Sequence, residues 1–193
     1  MKKVGLFFGS FNPIHIGHLA IAEFMVEQTD LNQLWFVVSP QNPLKEKKSL
    51  LTDHHRWIMV NIAIEDDVRF RAINIEFKMP RPSYTIDTLT RLSEKYPDYQ
   101  FVLISGTDIF GSLHKWKNYQ EILKQYSFYV YARPNYQMGD FANHFKIKIF
   151  NAPQMEVSSS YIRESIKEKK EIQYLLPPKL NKYIKEMHFY EKV

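Results

Sequence analysis

Short apolar runs rich in β-forming residues alternate along this chain with longer amphipathic stretches. That alternation restricts the fold more than any other feature. Residues 4–8, 34–38 and 100–105 read as strands buried on both faces, and helical spacing lies between them. A succession of this kind builds a parallel sheet covered by helices. Further strands are predicted over 68–72, 128–132 and 147–150, with 73–77 extending the third or pairing with it. Helices are predicted over 16–28, with Glu23 and Glu27 on the wet face, and over 53–64, capped by Thr52. Another starts at Ser83 or Thr85, with Ile86, Leu89 and Leu92 on one face, and a short one covers 119–125. The last two cover 160–169 and 177–187. Two prolines make 78–82 a loop. No Pro/Gly/Ser-rich linker interrupts the chain, so residues 1–193 are expected to form one domain. It would have an α/β core over 1–154 and a small C-terminal helical region over 155–193.

Composition narrows the class. With 193 residues, 45% of them hydrophobic, the chain is long enough to bury a core and too apolar for disorder. No run approaches the roughly 18 apolar residues of a membrane span. The apolar run after Lys2 and Lys3 is short and lacks a small-residue cleavage site, so no leader is expected. Cysteine is absent, which excludes disulfide scaffolds and thiolate-bound metals. A soluble cytoplasmic protein is expected. Basic residues number 26 and acidic ones 21, a net charge of +5 that favours anionic partners without choosing among them.

The most informative segment follows the first strand: Gly9-Ser10-Phe11-Asn12-Pro13-Ile14-His15-Ile16-Gly17-His18. In an open α/β sheet this position is the carboxyl edge of a strand, where ligands bind. Gly9 would let backbone approach a ligand, and the helix N-terminus that follows offers unpaired N–H groups to a phosphate. His15 and His18 are three apart and share a face at the helix start, with Gly17 leaving room between them. The segment lacks the spaced glycines of a dinucleotide fingerprint and the Gly-Lys-Ser/Thr of a P-loop. A metal pair or an exposed polar face would also account for the histidines, though helical metal pairs usually sit four apart and need a third ligand.

These ten residues resemble the signature of the nucleotidyltransferase superfamily that carries an H-x-G-H motif. Three further segments resemble one family within it, the bacterial nicotinate-nucleotide adenylyltransferases. Pro82-Ser83-Tyr84-Thr85-Ile86-Asp87-Thr88-Leu89 is similar to that family's S-Y-T-x-x-T-L stretch. Ser105-Gly106-Thr107-Asp108 with Leu113-His114-Lys115-Trp116 resembles its G-A-D and L-P-x-W. Val157-Ser158-Ser159-Ser160-Tyr161-Ile162-Arg163 resembles its I-S-S-T-x-I-R. Arg133-Pro134 and Lys45 match its R-P-G and the lysine of its P-P-H-K loop. Phe8, Asn12, Leu44 and His114 depart from the pattern, and Leu44 removes a polar contact to the second substrate.

The resemblance implies a Rossmann-like fold and transfer of an adenylyl group from ATP to nicotinate mononucleotide, with release of pyrophosphate in NAD biosynthesis. It implies ATP contacts at Gly9, Ser10, Phe11, His15, His18, Gly106, Asp108, Ser158, Ser159 and Arg163, of which His15, His18 and Arg163 are catalytic. It implies mononucleotide contacts at Lys45, Thr85, Trp116 and Arg133. Mg²⁺ is expected to arrive on the ATP, with mostly water ligands. No resident metal, nucleic acid or membrane partner is expected; a homo-oligomer is open. His54 and His55 match no motif and read as structural. Nicotinamide mononucleotide or phosphopantetheine as the acceptor are the rival reactions. A nucleic-acid-binding module is the rival class, prompted by the charge and by 15% aromatic residues.

Overall fold

The computed structural model describes residues 1–40 and 50–191. Strands β1 (Lys2–Gly9), β2 (Gln33–Val38), β3 (Phe70–Ile73), β4 (Tyr99–Gly106), β5 (Ser127–Tyr131) and β6 (Ile147–Phe150) form one sheet. Its order is β3-β2-β1-β4-β5-β6, and every pairing is parallel. Helices α1 (Ile16–Glu27), α2 (Asp53–Ile64), α3 (Thr85–Lys95), α4 (Tyr119–Gln125), α5 (Ser159–Lys167) and α6 (Pro178–Glu186) cover it.

The period-two alternation of the strands divides the core. Phe7, Leu34, Phe36, Val38, Val102, Ile104, Tyr129 and Tyr131 face one layer, with Ala22 and Met25 of α1, Met59 and Val60 of α2, Ile162 of α5 and Leu180 and Ile184 of α6. Val4, Leu6, Trp35, Val37, Leu103, Phe128 and Val130 face the other, with Leu89 and Leu92 of α3 and Ile122 and Leu123 of α4. Central strands covered on both faces read as unbroken apolar runs, which is why residues 4–8 and 100–105 betray themselves in sequence.

Most predicted elements are present within two residues of their expected ends. One differs in kind. Beyond Ile73, which extends the third strand by one residue, 74–77 neither continue it nor pair with it. Ile73 ends β3, and Ile75–Lys78 turn into a 3-10 helix that carries Glu76 into the interior. No helix among the described residues is long and apolar enough to cross a membrane.

Strand order reverses direction at β1: the chain runs outward through β2 and β3, then returns to β4 on the other side. The carboxyl ends of β1 and β4 therefore border the crevice that such a switch point opens. Gly9 and Gly106 are their last residues, so both glycine-bearing motifs reach the same edge.

Candidate active site

The turn after β1 is folded tightly on itself. Phe11 takes a left-handed backbone, with φ of 46°, and buries its ring at 2% exposure. A Cβ on Gly9 would lie 2.7 Å from that ring. Gly9 thus has a nearer reason than ligand approach: it makes room for Phe11. The Phe11 ring belongs to the core with Phe7 and Phe36, which leaves only its backbone on the turn.

The two histidines lie side by side, their ring centroids 3.8 Å apart. The His15 N–H donates to Nδ1 of His18 at 3.3 Å. In a neutral ring this leaves the His18 proton on Nε2. Phe11 packs edge-on against His18 at 5.2 Å. His15 is buried, and its Nδ1 has no hydrogen-bond partner among the described residues. Burial and the neighbouring Arg133 guanidinium lower its pKa to about 4. At neutral pH His15 is therefore an uncharged imidazole.

The C-terminal segment closes on this turn. A Cβ on Gly17 would meet Val157 at 2.8 Å and Nδ1 of His15 at 3.1 Å, so only glycine lets the two segments approach this closely. Ser158 caps α5 by accepting from the N–H of Tyr161 at 3.1 Å. Ser159 donates to the Pro13 carbonyl at 2.8 Å, and Arg163 to the Asn12 carbonyl at 2.8 Å and to Ser160 at 3.2 Å. Ser159 and Arg163, expected at a phosphate, are thus brought to the turn after β1 and brace it.

The end of β4 adds a second group. Thr107 Oγ1 accepts from the Arg133 N–H at 2.9 Å, which fixes the backbone after β5. Arg133 pairs with Asp108 at 3.3 Å, and its guanidinium lies 5.5 Å from the Tyr131 ring centre. A Cβ on Gly106 would sit 2.3 Å from an Asp108 oxygen and 3.0 Å from Arg133 Nε, so this pair also depends on glycine. Ser105 Oγ is buried and unpartnered among the described residues.

Thr85 and Trp116 lie on the other layer. Thr85 is the first residue of α3; the cap residue is Tyr84, and neither Ser83 nor Thr85 caps with its side chain. Ser83 and Thr88 instead donate to the buried Glu76 carboxylate at 2.8 and 2.7 Å. Burial keeps that carboxyl above its ordinary range despite these donors. Trp116 is half-buried against the same apolar layer as Ile86. Its neighbour Lys117 pairs with Asp87 at 2.9 Å and lies 4.9 Å from the Tyr84 ring centre, seating the Trp116 segment on the first turn of α3. Lys45 and Leu44 fall outside the described residues. His54 is exposed, and His55 packs on Phe189 at 4.9 Å.

Sequence reasoning missed Arg56, Glu76, Thr107 and Tyr190, all polar side chains that bond within or beside the site. The readable signal was Arg56 and Glu76 themselves: each sits at a position whose neighbours three or four away are apolar, hence facing the core.

A family model described as cytidylyltransferase-like matches residues 6–165. A Flavobacterium psychrophilum protein named "Probable nicotinate-nucleotide adenylyltransferase" is 55% identical over 192 residues, 98% of this chain and 100% of its own length. A Cytophaga hutchinsonii protein of the same name is 48% identical, covering 97% of this chain and 98% of its own. Among solved structures, Plasmodium falciparum nicotinic acid mononucleotide adenylyltransferase complexed with NaAD superposes with a TM-score of 0.83 at 20% identity, covering 99% of this chain and 98% of that one. At that identity the likeness is one of fold, and the fold is Rossmann-like.

Proposed function

The chain belongs to the cytidylyltransferase-like family and, within it, to the nicotinate-nucleotide adenylyltransferases; from that membership we propose that it joins nicotinate mononucleotide to ATP. The products are nicotinate adenine dinucleotide and pyrophosphate. The observation that carries the reading is the braced turn from Ser10 to His18 at the carboxyl edge of β1, with two histidines stacked at the start of α1.

The attacking group is an oxygen of the mononucleotide 5′-phosphate, already anionic, so no general base is required. It forms a bond to the α-phosphorus of ATP as the bond to pyrophosphate breaks in line behind it. Positioning and charge stabilisation supply the rate. We assign Gly9, Ser10 and the Phe11 backbone to the phosphates. His18 donates to them from Nε2, and His15 donates or accepts as a neutral ring. Ser158, Ser159 and Arg163 hold the pyrophosphate end, and Gly106 with Asp108 line the nucleoside pocket. Thr85 and Trp116 take the nicotinate ring, and Arg133 and Lys45 the mononucleotide. Arg133 is already paired with Asp108, so one ion pair would sit between the two substrates.

Among the described residues no group of three or more His, Asp or Glu could hold a metal ion. In this proposal Mg²⁺ would come with the triphosphate and screen its charge, and the chain's own residues would bind around it. The helical region beyond about residue 155 is taken as part of the same unit, because Ile162, Leu180, Ile184 and Phe189 share one apolar cluster with Phe7 and Phe36. The reaction is placed in the cytoplasm.

Pyrophosphate release from ATP, measured against nicotinate mononucleotide, nicotinamide mononucleotide and phosphopantetheine, tests the reading. The expected result is the highest kcat/KM for nicotinate mononucleotide. A preference for the amide or for phosphopantetheine would overturn the substrate, and no release with any of them would overturn the reaction.

A further inference from the structure

Arg56 leaves α2 with its side chain fully buried. It donates to backbone carbonyls through all three nitrogens. Nε reaches Leu51 at 3.0 Å, Nη1 reaches Ser10 at 2.5 Å and Ser39 at 2.8 Å, and Nη2 reaches Pro40 at 3.0 Å. Its carboxylate contact is Asp53, at 3.4 Å. One guanidinium thus joins the turn after β1, the chain leaving β2 and the segment entering α2. From the far end of the chain, the Tyr190 hydroxyl donates to Asn12 Oδ1 at 2.8 Å, an oxygen that also accepts from the Leu51 N–H at 3.3 Å. Burial holds the Tyr190 phenol in its protonated, donating form.

The carbonyls of Ser10, Asn12 and Pro13 are consequently all bound by donors from α2 and α5. In a trans peptide unit the carbonyl and the next N–H point in opposite directions. The cis bonds among the described residues are Asn12–Pro13 and Arg81–Pro82, so Ser10–Phe11 and Pro13–Ile14 are trans. A donor fixed on the Ser10 carbonyl therefore aims the Phe11 N–H to the opposite side, and one on the Pro13 carbonyl does the same for the Ile14 N–H. A charged donor also polarises the peptide it binds and strengthens its N–H.

A buried guanidinium is a poor means of stability, since apolar side chains of similar volume often serve as well or better. What Arg56 supplies that they could not is simultaneous hold on two sheet-edge turns. We propose that Arg56 and Tyr190 are positioning residues for the transfer: they fix the Ser10–Asn12 turn from behind so that its N–H groups face the phosphates. The proposal rests on adenylyl transfer at this site.

The test uses full-length Arg56→Lys and Tyr190→Phe, with melting curves, ATP affinity by calorimetry without mononucleotide, and steady-state kinetics. Lysine keeps the charge but cannot reach four carbonyls at once, and kcat per folded molecule should fall about 10- to 100-fold, as for a displaced reacting group. Tyr190→Phe removes one hydroxyl and should lower kcat about three- to tenfold. In both, KM for the mononucleotide should stay within about twofold, which general loosening of the fold would not achieve. Unchanged kcat per folded molecule in both variants overturns the proposal, whatever their melting temperatures. Should Arg56→Lys fail to fold, Tyr190→Phe decides by the same criterion. If the wild type does not use nicotinate mononucleotide, the reading of the reaction fails separately. ATP affinity then decides the positioning role: a loss of about threefold or more supports it, and unchanged affinity overturns it.

Discussion

The turn after β1 and the surface built by Thr85 and Trp116 are held in different ways. The turn is gripped by buried or half-buried donors from three distant parts of the chain: Arg56, the Ser159–Arg163 pair and Tyr190. The Trp116 segment is seated on α3 by Lys117, an exposed side chain paired with an equally exposed aspartate. Buried hydrogen bonds at low dielectric tolerate little displacement, whereas an exposed ion pair is screened and loosely held. Under the site assignment proposed above, the phosphate side would thus be preset before substrate arrives, and the ring side would have freedom to adjust. A reaction that brings two anions together needs the first property where charge develops and tolerates the second where an aromatic ring is merely bound.

The largest test of that contrast removes a ring from the preset side. His18→Ala should lower kcat about 100- to 1,000-fold, the usual cost of losing a preorganised donor at a developing charge. Its melting temperature should stay near that of the wild type, because His18 is half-buried and lies at a helix start. Pyrophosphate release and a thermal melt of the same sample check both halves. A variant of full activity would remove His18 from the chemistry.

The second test reads how firmly the turn is buried. The His15 pKa falls from an ordinary 6.5 to about 4 in the fold. Between those values the unfolded chain binds a proton at this site and the folded chain does not. Stability from this group is therefore complete above pH 6.5 and is lost as pH falls toward 4, by at most about 3 kcal/mol. In His15→Gln that component should vanish, leaving a flatter dependence of denaturant midpoint on pH between 4 and 6.5. Parallel curves for the two proteins would show that His15 titrates normally.

The same contrast explains what was legible beforehand. Central strands declare themselves as apolar runs, and the segment from Gly9 to His18 sits where a buried strand meets a helix, so its place at the ligand edge follows from sequence order. Gly17 and Gly106 were visible as glycines, but Val157, which requires the first, and Arg133, which with the nearby Asp108 requires the second, come from elsewhere in the chain. The grip of Arg56 and Tyr190 depends on contacts 46 and 178 residues away in sequence, which local pattern does not encode. Residues 73–77 misled for a related reason. Their apolar alternation suits a strand, but Glu76 finds buried hydroxyl partners on the α3 side, and the chain turns to deliver it there.

The smallest effects should come from the adjustable side. Trp116→Ala removes the ring proposed to stack on nicotinate, and stacking of this kind is worth about 1–3 kcal/mol. KM for the mononucleotide should rise by about tenfold or somewhat more, with KM for ATP unchanged, which steady-state kinetics with each substrate varied in turn would show. Lys117→Met should do far less. Its pair with Asp87 is about half exposed on both sides, at 44% and 43%, and such pairs contribute at most about 1 kcal/mol. The methionine stem can still lie over Tyr84, replacing the cation's contact with an apolar one. KM for the mononucleotide should therefore shift by no more than about fivefold, and the shift should shrink as salt is raised. A tenfold loss on Lys117→Met, insensitive to salt, would mean that the ring side is as firmly preset as the turn, and the distinction between the two would fall.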